Sequence, residues 1–327
     1  MPKTDLLPLL ADGEFHSGQE LADVLGVSRT AVWKQLQRLD ELGLQVESSK
    51  VQGYRLVGGL DLLDEPRLVS LLKPEAAACL SSFDILETVD STNAYVLRQM
   101  AEGAMSGCVC SAEQQDAGRG RRGRDWVSPF ARNIYVSLGW QFNRGAASLE
   151  GLSLAVGVAI AEALGDCGID GVTLKWPNDL MYKRAKLGGV LIEMSGDASG
   201  VCQVVVGIGL NVNMPPEQAT AIEQNWTDLA SMHPGKLPSR NEVLAAILSR
   251  VLPLLAHWDE TGFAPWRERW RARDAFADSS VQVIIGEQVV AGIASGVDER
   301  GALLLETSAG VQPFLGGEIS MRDAADA

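Results

Sequence analysis

The stretch "VTLKWPNDLMYKRAKLGGVLIEM" (residues 172–194) contains two β-prone runs separated by polar residues. "VTLKW" predicts one strand, "PND" predicts a turn, and "KLGGVLIEM" predicts the start of the next strand. Lys175 and Lys186 are then expected at the same end of a hairpin, with Asn178 and Asp179 in the turn between them. A cation beside a carboxylate suits a nucleotide phosphate with magnesium. An ordinary exposed turn position is the alternative for a lysine in this stretch.

The segment "VVVGIGLNVN" (204–213) alternates with a period of two, which predicts a strand with one face in a core. The opposite face carries Gly207, Gly209 and Asn211. Glycines weaken a strand unless something packs against its backbone. A bound ligand would fill this trough, with Asn211 as a polar anchor, whereas close packing by another element of the protein is the alternative.

The segment "DSTNAYVLRQMAEG" (90–103) predicts a helix that ends at Gly103. Ser91, Thr92 and Asn93 bring two hydroxyls and an amide to its first turn. Such residues usually cap the helix. The alternative is that they bind a neutral polar head group, such as a urea or an amide, which needs donors and acceptors side by side.

A short buried strand, "CVCSAE" (108–113), precedes the loop "QQDAGRGRRGRDW" (114–126), here called the arginine loop. The loop matches neither the P-loop nor the dinucleotide-binding fingerprint. Its glycines allow close approach of the backbone to a ligand, and its arginines offer forked donors to phosphate or carboxylate oxygens. Trp126 offers a stacking face. A solvated patch or a nucleic-acid surface is the alternative for such a basic run.

Residues 17–41 predict two helices separated by a turn at Gly26-Val27, with Ser17 and Ser28 as N-caps. In the second helix one apolar face is expected, formed by Val32, Leu36 and Leu39 with Trp33 beside them. The residues expected to meet DNA are Ser28, Arg29, Thr30, Lys34 and Gln37.

The run "LQVESSKVQGYRLV" (44–57) then predicts a hairpin that forms a wing next to these helices. Residues 1–60 hold six basic and eight acidic side chains. DNA binding would therefore depend on the local placement of cations and on dimerisation, because phosphate neutralisation supplies much of the affinity for DNA. A helical hairpin that serves as a packing or protein-contact module is the alternative.

The whole chain of 327 residues has 28 basic and 42 acidic side chains and 46% hydrophobic residues, which predicts a soluble protein of several domains. No run reaches the roughly 18 uncharged apolar residues of a membrane span. The N-terminus has no signal-peptide pattern, and the five scattered cysteines do not suggest a disulfide framework or a zinc site. The expected compartment is the cytoplasm.

Residues 261–276 predict an aromatic-rich helix. The sequence from residue 280 onward predicts short strands with glycine turns that form a small barrel. The glycine-, acid- and proline-containing run at 58–66 predicts the first domain boundary. The expected domains are residues 1–62, 63–270 and 271–327.

Five motifs occur in order along the chain: "DSTN", "GRGRRGRDWVSP", "KWPNDL", "KLGGVLIE" and "VGIGLNVN". Together they resemble the bifunctional biotin–protein ligases and biotin operon repressors, over nearly the whole chain. The resemblance implies an α+β multidomain protein with an N-terminal winged helix-turn-helix, a central α/β ligase domain with a class II synthetase-like mixed sheet, and a C-terminal SH3-like barrel. It implies that biotin and ATP form biotinyl-5′-adenylate, from which biotin passes to a carrier lysine.

The resemblance also assigns roles to residues. Lys186 and Arg121 would be catalytic, with Lys186 bridging the biotin carboxylate and the α-phosphate. The residues implied to bind biotin are Ser91, Thr92, Asn93, Gln115, Arg119, Gly120, Arg121, Lys186, Gly207 and Gly209. The residues implied to bind the nucleotide, with magnesium, are Arg119, Arg121, Arg124, Trp126, Lys175, Asn178, Asp179 and Asn211. The loop would be mobile when empty and would fold over the adenylate.

The implied partners are the biotin carboxyl carrier protein of acetyl-CoA carboxylase and operator DNA, the latter bound by a homodimer that forms when the adenylate orders the arginine loop. The first alternative is a ligand-sensing repressor without catalysis, which needs no lysine between carboxylate and phosphate. The second is a lipoate-type ligase, which has no need for a polar site that satisfies a urea-like head group.

Overall fold

The first unit of the chain contains three helices followed by a hairpin. The structure is a computed structural model that describes residues 6–196, 200–233, 235–316 and 319–323. The elements of this unit are α1 (Leu7–Leu10), α2 (Gly18–Leu25), α3 (Arg29–Glu41), β1 (Val46–Ser49) and β2 (Gly53–Leu56). Ser17 and Ser28 accept hydrogen bonds from backbone amides at the starts of α2 and α3, and Gly26 ends α2 in the left-handed conformation. The predicted helix–turn–helix is confirmed, and an antiparallel hairpin follows it.

The inward face of α3 is narrower than the sequence predicts. Val32, Leu36 and Leu39 are buried in the core of the first unit, but Trp33 is 51% exposed. Its predicted place on the apolar face is therefore wrong. The reason is geometric: each residue of a helix is rotated by about 100° from the one before, so the residue after Val32 turns away from the core.

The central unit is built on a seven-stranded mixed sheet in the order β3-β4-β5-β9-β8-β7-β6, in which only β3 and β4 run parallel. Its strands are β3 (Ser82–Val89), β4 (Cys108–Gln115), β5 (Ile134–Phe142), β6 (Thr173–Lys175), β7 (Asp179–Tyr182), β8 (Ala185–Gly196) and β9 (Cys202–Leu210). Its helices are α4 (Glu65–Leu71), α5 (Pro74–Cys79), α6 (Thr92–Ala101), α7 (Leu152–Asp166), α8 (Leu229–Met232), α9 (Arg240–Thr261) and α10 (Arg267–Arg271).

The stretch 172–194 forms three strands and not the predicted two. Because the polar turn is followed at once by the apolar residues Leu180 and Met181, the chain enters the short strand β7 before it turns again at residues 183–184. Asp179 therefore lies at the start of β7, directly opposite Lys175 on β6 and Gly189 on β8. The expected turn residue is thus a sheet residue, which fixes where its carboxylate points.

Helices α7 and α9 cover one face of this sheet. The segment Ala146–Asp166, which contains α7, is long and apolar enough to span a membrane by length and composition, yet most of it is buried inside the protein. Val156 and Ile160 of α7 are fully buried in the core cluster that also contains Val206 and Ile208 of β9. This is the burial expected of a core helix, and it confirms the apolar face predicted for β9.

Buried polar contacts hold the connection between the first and central units. Arg240 forms an ion pair of 2.7 Å with Glu113, and both side chains are almost fully buried. Arg240 also donates to the main-chain oxygens of Asp61 and Asn133, while the Leu63 amide donates to Glu113. The predicted boundary at 58–66 is therefore a connection bound to the central unit on its C-terminal side.

A second contact between the units is apolar. The core of the first unit includes Phe130 and Ala131, which belong to the segment between the arginine loop and β5 and are 1% and 3% exposed. The amide of Ala131 donates to the carbonyl of Glu113 on β4, so this segment is attached to the central sheet. Phe130 consequently connects the end of the arginine loop to the core beneath α3.

The third unit is an antiparallel sheet of five strands in the order β13-β12-β11-β10-β14. Its strands are β10 (Ser280–Ile285), β11 (Gln288–Val297), β12 (Leu303–Thr307), β13 (Gly310–Phe314) and β14 (Ile319–Asp323). The helix predicted over 261–276 is wrong in extent. Gly262 ends α9 at positive φ, α10 covers only Arg267–Arg271, and Asp274 pairs with Leu174 of β6 in a bridge that a helix could not make.

Asp274, which lies where the chain pairs with β6, makes the stability of the protein depend on pH. Burial raises the pKa of its carboxyl to about 6, against an ordinary value of 3.8. The protonated carboxyl therefore stabilises the folded state. This contribution to the free energy of unfolding is fully present below pH 4 and is lost as the pH rises through 6. We expect Asp274→Asn, which stays neutral, to gain about 2 kcal/mol relative to the wild type between pH 4.5 and 7.5.

Calorimetric unfolding of both proteins across this pH range tests the expectation for Asp274. Asp170→Asn is the matched control, since Asp170 is an exposed carboxylate of the central unit. A stability difference between Asp274→Asn and the wild type that does not change with pH would contradict the assignment.

Candidate functional sites

The first turn of α6 brings polar side chains onto the face of the sheet opposite α7. Ser91, Thr92 and Asn93 are each only 4% exposed. Within the described residues the Ser91 side chain makes no capping hydrogen bond. Instead, the backbone amide and the hydroxyl of Thr92 both approach Oε1 of Gln115, at 2.9 and 3.1 Å. The structure therefore disfavours a role in capping for this cluster.

These side chains continue into one hydrogen-bonded series, here called the Thr92 network: Gln115, Thr92, Ser137, Asn93 and Glu193. Ser137 Oγ lies 2.7 Å from Thr92 Oγ1 and 2.6 Å from Asn93 Oδ1. Asn93 Nδ2 donates to Glu193 Oε2 at 2.7 Å. Hydroxyl, amide and carboxylate groups thus alternate along one wall, which supplies both donors and acceptors to a neutral polar group.

The glycine face of β9 makes room for two of the predicted site residues. A Cβ at Gly207 would lie 2.1 Å from Asn93 Oδ1, and a Cβ at Gly209 would lie 2.6 Å from the Trp126 ring. The trough is therefore packed by side chains of the protein, which was the alternative to direct filling by a ligand. Its glycines act by letting Asn93 and Trp126 approach the backbone.

A second group of polar residues, the Lys186 cluster, lies on the neighbouring strands: Lys186, Asp179, Asn178 and Arg121. Lys186 Nζ is 2.7 Å from Asp179 Oδ1, and its side chain is 16% exposed. Arg121 donates to Asn178 Oδ1 at 3.2 Å, and burial lowers the pKa of its guanidinium. Two cations thus face one carboxylate in a partly desolvated site, where they attract anionic oxygens more strongly than in water.

The arginine loop folds back on itself over these groups. Gly118 accepts from the amide of Trp126, and Arg119 pairs with Asp125 in a bridge. A cavity of about 300 Å³ lies beneath the loop, lined by Arg119, Gly120, Arg121, Arg122, Gly123, Leu191 and Glu193. Arg119 approaches Glu193 at 3.4 Å, which joins the loop to the Thr92 network. One side of the cavity therefore carries cations, and the other carries Leu191 and the carboxylate of Glu193, through which the cavity meets the Thr92 network.

Three segments of the chain match known families. Residues 85–211 match the biotin/lipoate A/B protein ligase family, residues 3–55 match an HTH domain, and residues 278–322 match the biotin protein ligase C-terminal domain. A bifunctional ligase/repressor BirA from Salmonella typhimurium is 41% identical over 319 residues, covering 98% of this chain and 97% of that protein. The chain belongs to the biotin/lipoate A/B protein ligase family.

Two further relatives agree with this membership. A biotin–[acetyl-CoA-carboxylase] ligase from Paracoccus denitrificans is 37% identical over 243 residues, covering 72% of this chain and 98% of that protein. The structure of a biotin protein ligase from Aquifex aeolicus, in complex with biotin and ATP, is 31% identical with a TM-score of 0.63 and covers 75% of this chain and 100% of that chain. The similarity in fold therefore extends beyond residues 85–211, the segment that matches the ligase family.

Arg119, Gly120 and Arg121 of the predicted ligase site line the cavity, and most of the others belong to or adjoin the Thr92 network and the Lys186 cluster. Lys175 and Asn211 lie apart from these groups. Lys175 places its ammonium 5.3 Å from the centre of the Phe276 ring, towards the third unit. Asn211 is 4% exposed and donates to the carbonyl of Thr227. The Thr227 amide in turn donates to the carbonyl of Lys186, so Asn211 supports the segment that pairs with the lysine. Arg124 is exposed on the loop.

Two members of the Thr92 network were not predicted from the sequence. Ser137 lies on β5 directly opposite Gly207, and Glu193 ends the quoted motif "KLGGVLIE". The signal for Glu193 was a charged residue within an apolar strand. Ser137 gives no comparable signal, since a serine in a strand is unremarkable until its partner on β9 is known.

We expect Gly207→Ala to weaken biotin binding about tenfold, because the new methyl group displaces Asn93 from the Thr92 network. Isothermal titration with biotin measures the effect. Asn93→Ala and the double variant complete a mutant cycle, in which the two losses should not add because both act on Asn93. Additive losses would show that Gly207 acts by another route.

The candidate DNA-contacting residues lie at the exposed side of α3. Arg29, Thr30, Lys34 and Gln37 are all exposed. Ser28 is exposed as well, but its hydroxyl oxygen accepts from the Ala31 amide at 3.2 Å and so fixes the start of the helix. The structure therefore leaves four of the five predicted side chains free of the protein core.

Proposed function

We propose that this protein activates biotin with ATP, transfers it to a lysine of a carrier protein and also acts as a biotin-responsive repressor. The observation that carries the catalytic part is that the Thr92 network and the Lys186 cluster meet at one cavity, which is lined by Glu193 of the first and Arg121 of the second. The first can satisfy the ureido ring of biotin, and the second can hold the carboxylate against a phosphate. The named functions of the full-length relatives support the same activity.

In the first step a carboxylate oxygen of biotin attacks the α-phosphorus of ATP, and the bond to pyrophosphate breaks. Negative charge gathers between the two reactants. Lys186, held by Asp179, is suited to stabilise this charge, because its ammonium is already positioned before the reaction. Arg121 adds a second, forked donor from the loop.

In the second step the amine of a carrier lysine attacks the carbonyl of the mixed anhydride, AMP leaves, and the amine loses a proton. No protein nucleophile is required, since the reaction depends on alignment and on exclusion of water. The arginine loop covers the cavity and can limit hydrolysis of the adenylate. The loop glycines allow it to adopt open and closed forms.

Magnesium is proposed to enter with the nucleotide. Among the described residues no group of three or more histidine, cysteine or acidic side chains could hold a metal ion. Phosphate oxygens and water would then supply most of the ligands, as is usual for magnesium bound with a nucleotide, and Asp179 is the carboxylate that the Lys186 cluster itself offers.

The repressor part rests on the first unit, which we interpret as a winged helix-turn-helix with α3 as the recognition helix and the β1–β2 hairpin as the wing. Because this unit has more acidic than basic residues, operator binding would depend on the local placement of its cations and on a homodimer, which doubles the number of contacts. We interpret the third unit as an SH3-like domain, and the carrier as the biotin carboxyl carrier protein.

Biotin-dependent exchange of labelled pyrophosphate into ATP tests the ligase proposal with the purified full-length protein. Exchange with biotin is expected, and little with lipoate. Exchange with lipoate alone would reassign the substrate, and no exchange with either acid would leave a ligand-sensing repressor.

A further inference from the structure

We propose that Trp33 is a specificity-determining residue for DNA, which contacts the 5-methyl group of a thymine in the major groove. This inference rests on the proposed repressor function. Trp33 is 51% exposed on α3, so about half of this large apolar side chain is left in contact with solvent. One exposed apolar residue is ordinary by itself, so the argument depends on its neighbours.

The neighbours of Trp33 are the side chains expected to face DNA. Arg29 and Thr30 precede it by four and three residues and Gln37 follows by four, so all three are adjacent to it on the helix surface. The indole therefore lies in the middle of the presented face, between groups that bind phosphates or base edges. A major groove that receives this face would cover Trp33.

A groove next to Trp33 adds a shaped surface. It has a volume of about 330 Å³ and is lined by Gly18, Arg29, Thr30, Val32, Trp33 and Tyr54. Trp33 of α3 and Tyr54 of β2 supply its aromatic walls, while Arg29 supplies a cation at its edge. This combination fits a base edge with an apolar substituent beside a phosphate, since the thymine methyl is the apolar group that the major groove displays.

The charge balance of the first unit favours such a contact. With eight acidic against six basic side chains in residues 1–60, counterion release can supply only a small part of the binding free energy. Burial of an indole against a methyl group contributes affinity that does not depend on salt. Trp33 thus gives an acidic domain both affinity and sequence preference.

The experiment begins with selection of duplexes from a pool with 40 random base pairs, using the wild-type protein with biotin and ATP. We expect Trp33→Ala to bind the selected duplex about tenfold more weakly with an unchanged salt dependence. Replacing the contacted thymine by uracil, which lacks the methyl, should weaken wild-type binding about fourfold and leave Trp33→Ala unaffected. Trp33→Phe should recover part of the difference in affinity between the thymine duplex and the uracil duplex.

Lys34→Ala is the contrasting variant. Loss of a phosphate contact should reduce the slope of log K against log salt concentration by about one, while binding should still weaken when thymine is replaced by uracil. The calorimetric unfolding transition of the first unit in Trp33→Ala should equal that of the wild type, which shows that this unit remains folded. Equal binding by Trp33→Ala and the wild type, or no uracil effect at any thymine, would overturn the role of Trp33 while the repressor function stands. Failure of the wild type to enrich any sequence would overturn both.

Discussion

Lys186→Met is expected to lower the rate of biotin-dependent pyrophosphate exchange by 10²- to 10³-fold. The substitution keeps much of the side-chain volume but removes the cation that faces the developing charge, and removal of one positioned donor commonly costs this much. The loss should fall on adenylate formation. Transfer from synthetic biotinyl-5′-adenylate to the carrier should be less affected, because the anhydride is already formed.

The matched control is Lys183→Met. Lys183 is an exposed lysine in the turn just before β8, three residues from Lys186, so it tests the possibility that any lysine here is an ordinary turn residue. Wild-type exchange by Lys183→Met is expected. Equal losses in both variants, or normal exchange in Lys186→Met, would remove Lys186 from the mechanism.

Phe130→Ala is expected to destabilise the first unit by about 3 to 5 kcal/mol, which is the usual cost of removing a buried phenylalanine. Phe130 is 1% exposed in the same core as Leu36 and Leu39 of α3. Its loss should therefore detach the helix–turn–helix from the central unit without touching the catalytic groups. Limited proteolysis should then cut near residues 57–60, and calorimetry should show an early transition.

Phe130→Leu serves as the control, since it retains most of the apolar volume and should cost about 1 kcal/mol. Both variants should keep measurable pyrophosphate exchange. An unchanged cleavage pattern for Phe130→Ala would show that the buried polar contacts of Arg240 alone hold the two units together.

The local features of this protein were predictable from its sequence. Ser17, Ser28 and Gly26 mark the ends of α2 and α3 because caps and left-handed turns depend on residues within a few positions of one another. The alternation in 204–213 correctly predicts which face of β9 joins the main hydrophobic core. Three local predictions were wrong: Trp33 lies outside the apolar face, the stretch 172–194 contains an additional strand, and residues 261–276 do not form one helix.

The sequence also identified the glycine face of β9, but it left two occupants possible. Only the tertiary structure decided between them, since Asn93 comes from a helix more than 100 residues earlier and Trp126 from the arginine loop. The same holds for Ser137 and Glu193, whose contacts join distant strands.

Phe130 shows this limit most clearly. Its sequence neighbours belong to the ligand loop and β5, yet it packs in the core of the first unit. Periodicity and capping report how a residue is placed relative to its own helix or strand, because those forces act within a few residues. Which distant segment fills the space beside it depends on how the whole chain packs, and only the folded structure carries that information.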